Sequence, residues 1–333
     1  MKELEFLEII KNKLSKNAHI GDDCAYLKDL GIVITQDSLV EDIHFSLKFS
    51  TPYELAYKAI IVNLSDVLAA GAKPKYLTVS LSIPNHLGND FVSEFYKACD
   101  DLSAEYDFEI VGGDITGSEK LFISICAIGL TAERNISSRK NAKTGDYVVT
   151  TGVHGSSAAG LFLLMKNEKL KMENENGKRG TGNWERNSAH CSLLTAHLMP
   201  TLAKDFSREI STKIERDYAM MDTSDGLVDA LFKIAQASNV LISVDFDKIP
   251  YNKEIEHVAQ DANLDFKNWI FYGGEDYQLI ACLDEENLQK LNVPYTIIGQ
   301  VKEKTENHFV EIISSENTEK ISNLEQTFNH FKK

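Results

Sequence analysis

The stretch Thr51–Lys73, TPYELAYKAIIVNLSDVLAAGAK, decides the fold. Thr51 stands at an N-cap position, Pro52 at the first helical position, and Gly71 supplies a C-terminal stop. Nearly everything between them is helix-forming and apolar, so the pattern predicts a long helix buried over most of its surface. Inside the run IIVNLSDVLAAGA sit Asn63, Ser65 and Asp66. At helical spacing Asp66 shares a face with Ala59, Val62, Asn63 and Ala70. A carboxylate there is costly to bury unless something pairs with it. Two readings are open: an aspartate bonded to nearby backbone or a lysine, or a metal ligand on which other acidic stretches converge.

Length and composition narrow the rest. A chain of 333 residues suggests two domains, and 43% hydrophobic residues can bury a substantial core. The opening MKELEFLEIIKNKL is charged throughout and reads as an amphipathic helix, not a signal peptide. No apolar run approaches the roughly 20 residues of a membrane span. Five scattered cysteines without a C-x-x-C pair suit a reducing, cytoplasmic setting better than a disulfide framework. The formal net charge of −15 disfavours a nucleic-acid partner, which requires a concentrated basic surface. It is compatible with phosphorylated substrates if divalent cations stand between carboxylate and phosphate.

Outward from the central helix, strands and helices alternate. Before it come a helix over Leu4–Leu14, the polar turn GDD and a strand in GIVITQDSL; after it, a strand in YLTVSLSIP, a helix ending near Tyr106, and strands in FEIVGG and LFISICAIGLT. A turn-rich link at Arg134–Gly145 marks a boundary, giving expected domains of residues 1–138 and 139–333. The second half repeats the alternation: strand DYVVTTG, helix LFLLMKN, then AMMDTSDG, helix LVDALFKIAQAS, strand VLISVDF, helices to about Phe271, strand YQLIACL, a helix, and strand YTIIGQV. The fold class is α/β or α+β with mixed sheets. Lys166–His190 is polar, Gly-rich in its middle and weakly periodic, and reads as a surface loop or helix extension.

Five acidic stretches share one pattern, carboxylates beside glycine or small residues at a strand end or turn. They are Gly21-Asp22-Asp23, Thr35-Gln36-Asp37-Ser38, Gly112-Gly113-Asp114, Asp222-Thr223-Ser224-Asp225-Gly226 and Gly273-Gly274-Glu275-Asp276. Each alone is ordinary turn chemistry. Together with Asp66 they describe a hard-cation site, since adjacent carboxylates stay ionised when they share Mg²⁺. The familiar phosphate loops G-x-x-x-x-G-K-[ST] and G-x-G-x-x-G are absent, as are an H-R-D catalytic loop and HExxH. Gly152-Val153-His154-Gly155-Ser156-Ser157 lies between a strand and a helix, where backbone N–H groups can hold an anion; a tight turn explains it equally simply.

GDDCAYL, ITQDSLVEDIHF, AYKAIIVNLSDVLAAGAKP, VGGD, MDTSDGL and YGGEDYQL occur in the order, and near the spacing, of the thiamine-monophosphate kinase family. That family belongs to the superfamily of aminoimidazole ribonucleotide synthase, and the resemblance runs from residue 20 to 300. It implies a two-domain fold in which the N-terminal α/β domain dimerises through its sheet into a shared barrel. The C-terminal α/β domain covers the nucleotide cleft. The implied reaction carries the γ-phosphoryl of ATP to thiamine monophosphate. Because the acceptor phosphate is already ionised, transfer is expected to be direct, in line and templated by several Mg²⁺ ions, without a dedicated catalytic base.

Position by position, the resemblance assigns Asp23, Thr35, Gln36, Asp37, Asp66, Asp114, Asp222 and Asp225 to Mg²⁺, with Thr35 giving a side-chain oxygen and Gln36 a backbone carbonyl. Tyr106, Gly113, Asp114, Arg139 and Ser224 correspond to ATP contacts, and His44, Glu275 and Phe328 to substrate contacts. Two departures are visible. The family's H-L-x-P-x-P-R segment reads His197-Leu198-Met199-Pro200-Thr201-Leu202-Ala203 here, and the polar loop before it is longer. Superfamily relatives acting on selenide carry a reactive cysteine or selenocysteine near the N-terminus, and none precedes Cys24. Those acting on a thiocarboxamide use a C-terminal cysteine, whereas this sequence ends Asn329-His330-Phe331-Lys332-Lys333. Another ATP-using member of the superfamily and a non-catalytic divalent-cation-binding protein are the competing readings.

Overall fold

The computed structural model describes residues 3–16, 19–174, 190–305, 307–315 and 317–324. The first part of the chain runs α1 (Glu3–Lys13), β1 (Ala25–Leu27), β2 (Ile32–Val40), α2 (Pro52–Ala69), β3 (Lys73–Pro84), α3 (Asn89–Tyr106), β4 (Glu109–Ser118) and β5 (Phe122–Leu130). The five strands form one sheet ordered β1-β2-β5-β3-β4. The second part continues with β6 (Tyr147–Thr150), α4 (Ser156–Asn174), α5 (Cys191–Leu198), α6 (Lys204–Lys213), β7 (Ala219–Asp222), α7 (Leu227–Ser238) and β8 (Leu241–Asp245). Then come α8 (Glu254–Ala262), α9 (Lys267–Tyr272), β9 (Leu279–Leu283), α10 (Glu285–Leu288), β10 (Thr296–Lys302), β11 (Val310–Ile313) and β12 (Thr318–Ile321). Its seven strands order β12-β11-β8-β10-β6-β9-β7 in a second sheet. No helix among the described residues is long and apolar enough to cross a membrane. All five cysteines are free.

Helix α2 is the element both sheets share. Thr51 and Glu54 form a reciprocal capping box, the Thr51 hydroxyl accepting from the Glu54 N–H at 3.2 Å and the Glu54 carboxylate accepting from the Thr51 N–H at 2.9 Å. Leu55, Ile60, Leu64 and Val67 pack into the core under the first sheet. Ala69, by contrast, joins the cluster of Val149, Phe206, Met220 and Leu279 under the second. The carbonyls at the end of this helix, which any helix C-terminus leaves without an internal partner, are taken by segments that follow the first sheet. Ser207 Oγ donates to Leu68 O and Ser137 Oγ to Ala69 O, each at 2.6 Å, and Arg134 donates to Gly71 O at 3.1 Å. Gly71 ends the helix at φ 82°, and a Cβ there would lie 2.6 Å from the Tyr218 hydroxyl.

The first sheet is covered on one face only. Leu77, Val79 and Leu81 of β3 point into the core, while Thr78, Ser80 and Ser82 alternate onto the opposite, half-exposed face. Ser38 and Ser124 meet on that face at 2.8 Å. The sheet also has two open edges. β1 pairs with β2 only across Ile32–Ile34, so Thr35–Val40 pair on one side alone, with β5. At the far edge β4 pairs only with β3, and Val111 and Ile115 are more than half exposed.

Within Lys166–His190, α4 extends as far as Asn174, and 175–189 lie outside the described residues. Helices α5 and α6 and the β11–β12 hairpin are additions to the elements expected from periodicity.

Candidate active site

Three carboxylates converge. Asp23 arrives from the turn before β1, Asp66 from α2 and Asp222 from the end of β7; each offers an oxygen, and these oxygens lie within 4.8 Å of one another. Hydroxyls orient them. Thr35 Oγ1 donates to Asp66 Oδ2 at 2.6 Å, Ser65 Oγ to Asp222 Oδ2 at 2.5 Å, and Ser224 Oγ to Asp222 Oδ1 at 3.0 Å. Asn63 stitches β2 to α2, accepting the Asp37 N–H at 3.0 Å while donating to Ala59 O at 2.9 Å. The polar residues inside the apolar helix are therefore all accounted for by the site.

Burial, then repulsion from Asp37, Asp222 and Asp23, pushes the Asp66 carboxyl well above the usual range. Burial and Asp23 likewise push Asp222 up to about 7, against the pull of the Ser65 and Ser224 hydroxyls. The Cys24 thiol beside them is raised by burial and the same carboxylates, so it stays protonated and a poor nucleophile. Arg139 Nη2 reaches Asp23 Oδ1 at 2.5 Å, and the Arg139 N–H donates to Asp22 Oδ1 at 2.9 Å. Lys233 holds Asp225 at 3.0 Å and Asp229 at 2.6 Å. The cluster thus presents carboxylate and hydroxyl oxygens with excess negative charge, a hard donor set that fits Mg²⁺ and suits zinc poorly.

A second constellation lies back along the same helix. Lys58 and Asp66 are eight residues apart on one side of α2, roughly 12 Å along its axis. Lys58 is buried, and its Nζ lies 2.7 Å from Glu275 Oε1. On the other side His197 Nδ1 stands 3.5 Å from Glu275 Oε2 and 3.0 Å from Ser157 Oγ. Burial and Lys58 hold the His197 imidazole down to about 3, so it is neutral at pH 7. For Glu275, burial alone would raise the carboxyl, but Lys58, His197 and His44 outweigh it and lower it. Its loop is strained: Gly274, Glu275 and Tyr277 take φ of 68°, 58° and 51°. A Cβ on Gly274 would lie 2.7 Å from Ser224 O, and the Glu275 N–H donates to that same oxygen at 2.7 Å. The loop that carries Glu275 is therefore pressed against the segment that carries Asp222 and Asp225.

The Gly152–Ser157 turn resolves toward its structural reading. Asp276 fills the N-terminus of α4, its carboxylate accepting from the Gly155 N–H at 2.6 Å and the Ser157 N–H at 3.0 Å. His154 Nε2 shares a 2.7 Å hydrogen bond with Thr150, not with Ser156. Burial holds the His154 imidazole down to about 4, below its ordinary 6.5. The folded protein thus keeps this ring neutral while the unfolded chain protonates it, so its contribution is complete above pH 6.5 and is lost as pH falls toward 4. Urea unfolding should accordingly show about 2 kcal/mol less stability from this ring at pH 5 than at pH 7. A His154→Gln protein should lack that part of the pH dependence; an unchanged slope would exclude the ring as its source.

Of the residues expected from the sequence, Asp23, Thr35, Asp37, Asp66, Asp222, Ser224, Asp225 and Arg139 gather around the acidic cluster. Gln36 directs its amide to Ser124 Oγ at 3.2 Å, on the opposite face of β2 from Thr35. His44 sits beside Glu275 and accepts the Val40 N–H at 3.0 Å. Gly113 and Asp114 lie exposed on β4, three strand spacings or roughly 14 Å from β2 within one chain. Tyr106, at the end of α3, is buried in the core with Lys204 Nζ 5.0 Å above its ring. Phe328 lies outside the described residues. Sequence reasoning passed over Lys58 and His197. A lysine embedded in an apolar helix eight residues before Asp66 was the available signal for the first.

Residues 21–131 match the family described as AIR synthase related protein, N-terminal domain. A thiamine-monophosphate kinase of Bacillus subtilis is 32% identical over 335 residues, spanning 96% of this chain and 94% of that protein. One from Aquifex aeolicus is 34% identical over 303 residues, 90% of this chain and 92% of its own length. Among solved structures, AaThiL complexed with AMPPCP and TMP matches with a TM-score of 0.78 at 32% identity, covering 95% of this chain and 94% of that one.

Proposed function

This chain belongs to the thiamine-monophosphate kinase family, and on that premise we propose that it transfers the γ-phosphoryl group of ATP to thiamine monophosphate, giving thiamine diphosphate and ADP. The observation that carries the reading is the placement of two sites on one side of α2. An oxygen-only cluster of Asp23, Asp66 and Asp222 lies at one end, and the Glu275 carboxylate clamped by Lys58 at the other. Asp23, Thr35, Asp37, Asp66, Asp222 and Asp225, with the Gln36 carbonyl and Asp114, would hold Mg²⁺. Bound there, Mg²⁺ supplies charge neutralisation between two phosphorylated reactants and a template for their alignment. Arg139 and Ser224 meet the nucleotide, with Tyr106, Gly113 and Asp114. His44 and Glu275 meet the acceptor, joined by Phe328.

The chemistry asks little of the protein beyond position. A phosphate monoester oxygen of the acceptor is ionised near neutral pH, so it attacks the γ-phosphorus as the bond to ADP breaks, and no residue has to accept a proton. Glu275 accepts hydrogen bonds from the aminopyrimidine, and the Arg139 guanidinium balances phosphate charge. We assign the metal- and nucleotide-binding and dimerisation domain to residues 1–138 and the covering domain, which adds Arg139, Asp222, Ser224 and Asp225 to that site, to 139–333, in a cytoplasmic enzyme. Incubation with Mg²⁺, thiamine monophosphate and γ-labelled ATP should place the label in thiamine diphosphate and leave none on the denatured protein. Metal binding without turnover would favour the non-catalytic reading, and label retained on the protein would overturn the direct route.

The working unit in this proposal is a homodimer. Two features support it: the uncovered polar face of the first sheet, and the complementary open edges at β4 and at Thr35–Val40 of β2. An exposed edge carrying Val111 and Ile115 invites another strand. Closing β4 of one copy onto β2 of another makes a barrel from two sheets. It also carries Gly113 and Asp114, which lie three strands from β2 within one chain, to the cluster of the other copy.

A further inference from the structure

We propose that Lys58 is a positioning residue of the acceptor subsite: its ammonium fixes the Glu275 carboxylate in the orientation that meets the acceptor, and so governs acceptor affinity without touching the acceptor. The inference rests on the proposed role of Glu275. Lys58 is 3% exposed, yet among the described residues its one ion-pair partner is Glu275, at 2.7 Å. A lysine ammonium carries three protons to place, and leaving so strong a donor in the interior for one carboxylate is costly unless that carboxylate must be held. The Glu275 side chain is the more open partner at 27% exposure, so one of its faces remains available to a ligand.

The surroundings explain why a cation is needed here. Glu275 leaves the backbone in a left-handed conformation at φ 58°, and its loop is fastened to Ser224 through the Glu275 N–H. The backbone therefore fixes where the side chain begins but not where the carboxylate ends. His197 approaches the second oxygen at 3.5 Å, too far for a strong hydrogen bond, and is already engaged by Ser157 Oγ. Among the ion pairs of the described residues, Lys58 is the one at hydrogen-bonding distance from the carboxylate, and it stands on a helix buried along most of its length. Because Lys58 and Asp66 ride on the same helix, the distance from the acceptor anchor to the acidic cluster is set by α2 itself.

The test is a double-mutant cycle on the full chain with Mg²⁺, measuring KM for thiamine monophosphate and for ATP separately. Glu275→Gln should raise the acceptor KM roughly ten-fold and leave the ATP KM within about two-fold. Lys58→Met should do the same, and the double variant should be no worse than the poorer single. Lys58→Arg, which keeps a cation at the carboxylate, should recover part of the loss. If Lys58→Met alone fails to fold, comparing the double variant with Glu275→Gln carries the test, since the double variant leaves no unpaired buried charge. Equal acceptor KM in those two proteins supports the proposal; a further rise in the double variant means that Lys58 acts independently of Glu275 and overturns it. Equal shifts in both KM values also overturn it. An acceptor KM unmoved by Glu275→Gln, in a protein whose parent turns over thiamine monophosphate, removes Glu275 from the acceptor site and the inference with it. Absence of turnover in the parent is the distinct result that would defeat the functional reading itself.

Discussion

Asp66→Asn should lower kcat by roughly a thousand-fold while leaving a protein that, in chelator, is more stable than its parent. The two effects have one cause. Asp66 shares a partly buried site with Asp23, Asp37 and Asp222, and their mutual repulsion opposes folding when no divalent cation is bound. The amide removes one charge from that cluster yet still accepts the Thr35 hydroxyl, so its geometry is kept. Relief of repulsion should contribute about 1–2 kcal/mol. With Mg²⁺ the order should reverse: the parent gains stability by mass action, and the variant, with a weaker site, gains little. Thermal melts in chelator and in Mg²⁺, paired with steady-state rates, read both effects. Loss of the folded signal with unchanged activity per folded molecule would mean that Asp66 is a structural aspartate.

Asp66→Asn and Asp114→Asn should each give a dimer with less than about a hundredth of the parent rate, and a mixed dimer of the two should regain about half of it. The arithmetic follows from two-fold symmetry. If each site takes Asp66 from one copy and Asp114 from the other, the mixed dimer has one site with both substitutions and one with neither. Co-expression with a different tag on each chain allows the mixed dimer to be purified and assayed. Recovery requires Asp114 to act in trans, the arrangement proposed from its place on the far edge strand. A mixed dimer as inactive as its parents would place Asp114 in its own chain's site. A fully active Asp114→Asn protein would remove it from the machinery, and a monomer by light scattering at micromolar concentration would remove the barrel.

Much of this site was legible before the fold was known, though unevenly. The N-cap at Thr51, the stop at Gly71 and the span of α7 follow from local patterning. Asp66 stood out because a carboxylate in an apolar helix violates local expectation, and such violations gather at functional sites. The short hairpin β11–β12 and the helices α5 and α6 did not stand out, since brief elements are decided by what they pack against. Lys58 was hidden for a related reason. In sequence it is one lysine at a helical position, and its partner lies far along the chain in the loop between α9 and β9.

By itself, the sequence determined what is local: helix ends, strand periodicity, free cysteines, an acidic balance and a set of oxygen-bearing residues at turns. It also carried the family resemblance, through motifs whose order and spacing survive in a linear string. Only the tertiary structure decided which carboxylates meet. Ser65 and Asp222 are joined at 2.5 Å across a separation of 157 residues, and no local propensity encodes such a contact. It decided too that Asp276 caps α4, that Glu275 is held by a buried lysine, and that Asp114 lies on the wrong edge of its own sheet to join Asp66. The physical reason is common to all of these. Local patterns set the conformation of each segment, whereas charge pairing and desolvation act through space, between segments that meet only when α2 is buried against both sheets.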